Sequence, residues 1–137
     1  MSTRILIVDD QLPAQMLLRA YLIRLGYDAI VEAPDSLEAL RLIMSATQDK
    51  RPFAAVLIDR SMPEMNGLEF VRAIRQLKTF VTTPIIVLSE DLDPALWFEA
   101  LHAGANAHLL KPVTETTLQA ALAEATNSAA ESAKNQP

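Results

Sequence analysis

RILIVDDQLPAQMLLRAYLIRLG, residues 4–26, holds two periods end to end. Arg4 to Asp10 is a short β-branched run closing on two aspartates, the pattern of a strand buried on both faces. From Pro13, apolar residues recur at Ala14, Leu17, Leu18, Tyr21, Leu22 and Leu25, with Arg19 and Arg24 between them and Gly26 after. That spacing predicts a helix with proline at its start and glycine past its end.

The same alternation runs on through the chain. Strands are expected at 28–33, 54–59, 84–88 and 107–110, and helices at 36–47, 68–77, 94–103 and 114–126. Five strands alternating with five helices, without hairpin signals between strands, give a parallel sheet with right-handed crossovers and helices on both faces. Gln48 to Pro52 reads as a solvated turn. The stretch 127–137, rich in Ser, Ala and Asn, reads as a flexible tail or linker stub after a domain at 1–126.

With 137 residues, 50% hydrophobic composition and a mean hydropathy of +0.16, the chain has material for one core. A net charge of −5 and a pI near 4.9 argue against a nucleic-acid-coating protein. The absence of cysteine excludes disulfides, thiolate metal sites and a thiol nucleophile. Ile5 to Val8 is too short for a signal-peptide core or a membrane span, so a soluble cytoplasmic protein is expected.

An open parallel sheet gathers its functional groups at the carboxyl ends of its strands. The first strand delivers Asp9 and Asp10, the third Asp59, the fourth Ser89 and the fifth Lys111 followed by Pro112. The second offers Ala33 and Pro34. Three crowded aspartates repel unless a cation sits among them, and an all-oxygen set calls for Mg²⁺ or Mn²⁺. The Ser61 backbone carbonyl is a further candidate ligand. A cation, an ammonium and a hydroxyl make a site for a phosphoryl group, and Asp59 is the candidate to carry it as a labile acyl phosphate. Taken singly, each of these residues reads more simply as a cap, a turn residue or a surface charge.

These pieces resemble the receiver domain of bacterial response regulators, the phosphoacceptor half of two-component signalling. The resemblance rests on Ile5 to Asp10, Leu57-Ile58-Asp59, Met62 to Gly67, Pro84 to Ser89, Ala103-Gly104-Ala105 and Lys111-Pro112, and covers residues 4 to about 125. It implies a flavodoxin-like sheet of order 2-1-3-4-5, phosphorylation of Asp59, and Mg²⁺ held by Asp10, Asp59 and the Ser61 carbonyl, with Asp9 acting through water. Lys111 would contact the phosphoryl oxygens and Ser89 would be the switch residue. The phosphodonor would be a sensor histidine kinase or His-phosphotransfer protein. The output would be a downstream protein or a self-dimer on the face of the fourth helix, fifth strand and fifth helix, with no direct nucleic-acid or membrane binding. Such a domain is a switch rather than an enzyme, catalysing only its own phosphorylation and dephosphorylation.

Three positions depart from the family pattern. His108 stands where a second, aromatic switch residue is usual, and an imidazole there introduces pH sensitivity. Ser36 stands where Gly is frequent, and Val113 where Phe is. In the fourth helix, Phe98 and Leu101 are expected to face the sheet, turning Trp97 toward His108 as an anchor for a partner. Ser61 and Asp91 are the expected controls of the lifetime of the phosphorylated state.

Competing chemistries fit less well. A haloacid-dehalogenase-like phosphatase needs a second acid two residues after its nucleophile, where this chain has Ser61. Intact Asp9, Asp10, Asp59, Ser89 and Lys111 argue against a non-phosphorylated module. With only 3 glycines there is no nucleotide-binding loop after any strand.

Overall fold

The computed structural model describes residues 4–62, 65–91 and 93–134. Pro63 and Glu64 of the loop after Asp59, and the tail residues 135–137, lie outside the described residues.

The strands are β1 (Arg4–Val8), β2 (Ala29–Ala33), β3 (Ala55–Asp59), β4 (Ile85–Ser89) and β5 (Ala107–Leu110). The helices are α1 (Leu12–Arg24), α2 (Ser36–Gln48), α3 (Gly67–Arg75), α4 (Pro94–Ala103) and α5 (Glu115–Lys134), with a 3₁₀ turn at Lys78–Phe80. All strand pairs are parallel and the sheet order is β2-β1-β3-β4-β5, as expected.

Successive strand side chains point to opposite faces, so each strand feeds two cores. Leu6, Val8, Val56, Ile58, Ile85 and Val87 pack under α2, α3 and α4. Ile5, Ile7, Leu57, Ile86, Leu88 and Leu109 pack under α1 and α5. Burial on both sides explains the unbroken apolar runs read in the sequence.

Three expectations change. In α1, Leu17 is exposed together with Leu12, Met16 and Ile23, while Gln15 is buried beside Leu18 and Leu22. The reason is polar: the Gln15 amide donates to the backbone carbonyls of Asp9 and Ala33, which turns that face of the helix to the sheet. In α4, Phe98 (63% exposed) and Leu101 (42%) face solvent, and Ala100 and Ala103 face the sheet. Small side chains let the helix lie close to the strands. Finally, the tail expected from residue 127 continues α5 as far as Lys134. Alanine-rich sequence favours helix, Ala129 is buried, and the Ser128 hydroxyl accepts from the Asn106 amide at 3.2 Å.

Ser36 is the first residue of α2, capped by Asp35, and its hydroxyl donates to the Met65 carbonyl at 2.7 Å. It thereby ties α2 to the loop that precedes α3. Val113 is buried in the core under α1 and α5. Among the described residues, no helix is long and apolar enough to cross a membrane.

Candidate functional site

β3 closes on Asp59, and β1 is followed directly by Asp9 and Asp10, because each apolar run stops there. Asp9, Asp10 and Asp59 thereby offer one oxygen each within 4.8 Å of one another. Asp9 and Asp59 are buried and Asp10 is exposed. Lys111, just past β5, reaches across the strand ends. Its Nζ lies 3.0 Å from Asp9 Oδ2 and 3.2 Å from Asp59 Oδ2. The peptide between Lys111 and Pro112 is cis.

Backbone amides satisfy the remaining carboxylate oxygens. Gln11 N–H donates to Asp9 Oδ1 at 2.9 Å, and Ser61 N–H to Asp59 Oδ1 at 3.1 Å. Burial pushes the Asp59 carboxyl above its ordinary value; the Ser61 amide and the Lys111 charge oppose this, and the Asp9 charge adds to it. Burial pulls on Lys111 in the opposite sense, but the hydrogen bond to Asp9 and the charges of Asp59 and Asp9 outweigh it, so its pKa is raised. Three carboxylates and one ammonium leave an excess of negative charge, and the all-oxygen donor set fits a hard divalent cation.

Asp59 and Ser89 open into one cavity of about 400 Å³, shared with Gln11, Ser61 and Asp91. Ser89 is buried and its Oγ accepts from the Asp91 amide at 3.1 Å. The expected aspartates, lysine and serine are therefore brought together. His108 and Trp97 lie outside this cavity, stacked on each other at 5.7 Å between ring centroids with 24° between planes. Burial, and then the Arg60 charge, lower the His108 pKa below its ordinary value, and its buried Nε2 has no hydrogen-bond partner among the described residues. Both influences disfavour the imidazolium.

Two supporting residues, Gln15 and Arg60, were given no role by the sequence reading, and a third, Gly67, was read only as part of a loop motif. Gln15 holds the Asp9 backbone, as described above. Gly67 lets α3 close on the end of β3: a Cβ there would stand 2.6 Å from the Asp59 carbonyl oxygen and 2.8 Å from Arg60 Cα. Its place at the end of the quoted Met62 to Gly67 motif was the available signal. Arg60 leaves the acceptor strand for α4, donating to the Leu96 carbonyl at 3.2 Å and pairing with Glu99. A single polar contact of this kind has no periodicity to announce it.

Comparison with known proteins agrees with this geometry. The family model "Response regulator receiver domain" matches residues 5–123. A chemotaxis protein CheY homolog of Campylobacter jejuni is 34% identical over 116 residues, covering 85% of this chain and 86% of that protein. Chemotaxis protein CheY1 of Helicobacter pylori is 33% identical, covering 85% and 90%. Among solved structures, the chemotaxis response regulator CheY4 of Vibrio cholerae superposes with a TM-score of 0.81 at 30% identity, covering 91% of this chain and 99% of that one. The receiver domain of the histidine kinase CKI1 from Arabidopsis thaliana, complexed with Mg²⁺ and BeF₃⁻, gives 0.75 at 27% identity, covering 88% and 89%.

Proposed function

The chain belongs to the response regulator receiver domain family, and from that premise we propose that Asp59 is the residue that accepts the phosphoryl group. Receivers are signalling switches of two-component systems, served by histidine kinases and dependent on a divalent cation at an aspartate cluster. One observation carries the assignment of residues. The Lys111 ammonium lies within 3.2 Å of both Asp9 and Asp59, and Asp59 in turn opens into a cavity that Ser89 also lines.

Asp10, Asp59 and the Ser61 carbonyl are the residues to hold Mg²⁺, or Mn²⁺ in its place, with Asp9 acting through water. When bound, the cation supplies positive charge against the phosphoryl oxygens. In the transfer, an Asp59 carboxylate oxygen bonds to phosphorus as the bond from phosphorus to the donor's histidine nitrogen breaks. Lys111 steadies the charge on the transferring group, and the product is an acyl phosphate. Ser89 then turns toward the new phosphoryl oxygens and gives up its contact with the Asp91 amide. His108 and Trp97 carry the change to the face of α4, β5 and α5. Ser61 and Asp91 set the lifetime of the acyl phosphate. The body that does this is residues 1–126, acting in the cytoplasm, with 127–137 outside the transfer machinery.

Intact mass after incubation with acetyl phosphate tests the assignment. A single phosphoryl adduct is expected on the wild type with Mg²⁺. None is expected on Asp59→Asn, nor on wild type in chelator. An adduct that persists in Asp59→Asn would overturn it.

A further inference from the structure

Charge is divided unevenly along this chain. Residues 1–89 carry ten basic and ten acidic side chains, while residues 90–137 carry two basic against seven acidic, so the whole net charge of −5 belongs to the part that builds α4, β5 and α5. One of those two cations, Lys111, is taken up between Asp9 and Asp59.

The acidic side chains frame a groove of about 250 Å³. Its floor is the Trp97–His108 stack with Leu110, and its rim is Asp91, Asp93 and Glu124. Among the described residues, no lysine or arginine pairs with any of these three carboxylates. One helical turn beyond Trp97 lies Leu101, with Phe98 beside it, and both are exposed. An apolar strip thus runs out of an acid-rimmed aromatic pocket.

We propose that this face docks a basic amphipathic segment of a partner protein, one arginine or lysine of which enters the groove over Trp97 while neighbouring apolar residues cover Leu101 and Phe98. It rests on the phosphoacceptor reading for its switching and specifies the chemistry of the partner. A guanidinium or ammonium over an indole, ringed by carboxylates, is attracted by both. A second copy of the chain on a two-fold axis would set carboxylates against carboxylates, and nucleic acid or an anionic membrane would be repelled. Asp91 lines both this groove and the Asp59 cavity, and its amide is bonded to Ser89. Phosphorylation of Asp59 replaces a carboxylate of charge −1 by a group carrying about −1.5 to −2 beside Asp91, which strengthens the pull on a cation.

The test uses fluorescence anisotropy with two labelled helical peptides. Both carry Leu at i, i+3, i+4 and i+7, one with Arg and the other with Glu at the flanking positions. Each is titrated with protein before and after treatment with acetyl phosphate and Mg²⁺, and intact mass is read on the same samples. The Arg peptide is expected to bind at least tenfold tighter than the Glu peptide. Trp97→Ala and the double variant Asp93→Asn/Glu124→Gln should each weaken it about tenfold. The double variant should also flatten its salt dependence, whereas Glu32→Gln/Asp49→Asn removes the same charge elsewhere with little effect. Equal binding of the two peptides, equal losses in both double variants, or a phosphorylation-dependent dimer that excludes the peptide would overturn the proposal. An adduct without Arg selectivity sinks the docking inference alone. A missing adduct sinks the phosphoacceptor reading, while the peptide comparison still decides the docking.

Discussion

α3 and α4 lie side by side and are nearly equal in length, nine and ten residues, yet they are held in opposite ways. α3 buries Leu68, Phe70, Val71 and Ile74 and opens on a capping box in which the Asn66 side chain accepts from Glu69 N–H and the Glu69 carboxylate accepts from Asn66 N–H. α4 buries Ala100 and Ala103, leaves Trp97 half-buried and turns Phe98 and Leu101 outward. Full burial of a large apolar side chain is worth about 1.5–3 kcal/mol, and of an alanine methyl far less. The helix beside the acceptor loop is therefore pinned, and the helix beside the output face rests on methyl groups and polar bonds. On the proposed function, a rearrangement begun at Asp59 would displace the one that costs less to move.

The largest effect should come from the pinned helix. Phe70→Ala is expected to lose about 3–5 kcal/mol of stability in urea unfolding, and the same change at Phe98 to stay within about 0.5 kcal/mol. Equal losses at the two positions would break the contrast.

A smaller effect is expected where polar contact holds α4. Arg60 starts one residue past Asp59 and ends on Leu96 and Glu99. Glu99→Gln should cost less than about 1 kcal/mol. It should speed amide exchange in α4 and leave α3 unchanged, and equal acceleration in both helices would mean that Arg60 is no strut.

The smallest effect concerns His108. Its folded pKa lies below the ordinary 6.5, because burial and the Arg60 charge disfavour the imidazolium. Its contribution to stability is therefore complete above about pH 6.5 and is lost as pH falls through the folded value. The melting temperature of the wild type should fall more between pH 7 and about pH 5 than that of His108→Phe. Parallel profiles would remove His108 from the contact with α4.

Much of this was legible in the chain. β1 and β3 end on acids because an aspartate cannot continue a run buried on both faces, so Asp9, Asp10 and Asp59 marked strand ends and site together. Lys111 and Ser89 followed from the same rule. The orientation of α4 did not, because its sequence is apolar on both sides and only proximity to the sheet chooses Ala100 and Ala103 over Phe98 and Leu101. α1 misled for a polar reason, Gln15 rather than Leu17 taking the inward place because its amide bonds the Asp9 and Ala33 carbonyls. Gln15 and Arg60 act through backbone carbonyls that are distant in sequence, and no spacing rule reports such partners.

The bond from Lys111 to Asp9 spans 102 positions of chain. A growing polypeptide leaves the ribosome from its N-terminus, and a domain of this kind folds as a unit. Until residue 111 has emerged, Asp9, Asp10 and Asp59 are carboxylates without their ammonium, on a sheet that lacks its last strand. The charge cluster is therefore completed only once β5 and Lys111 have joined the sheet, and a chain that stops short of them lacks the ammonium between Asp9 and Asp59.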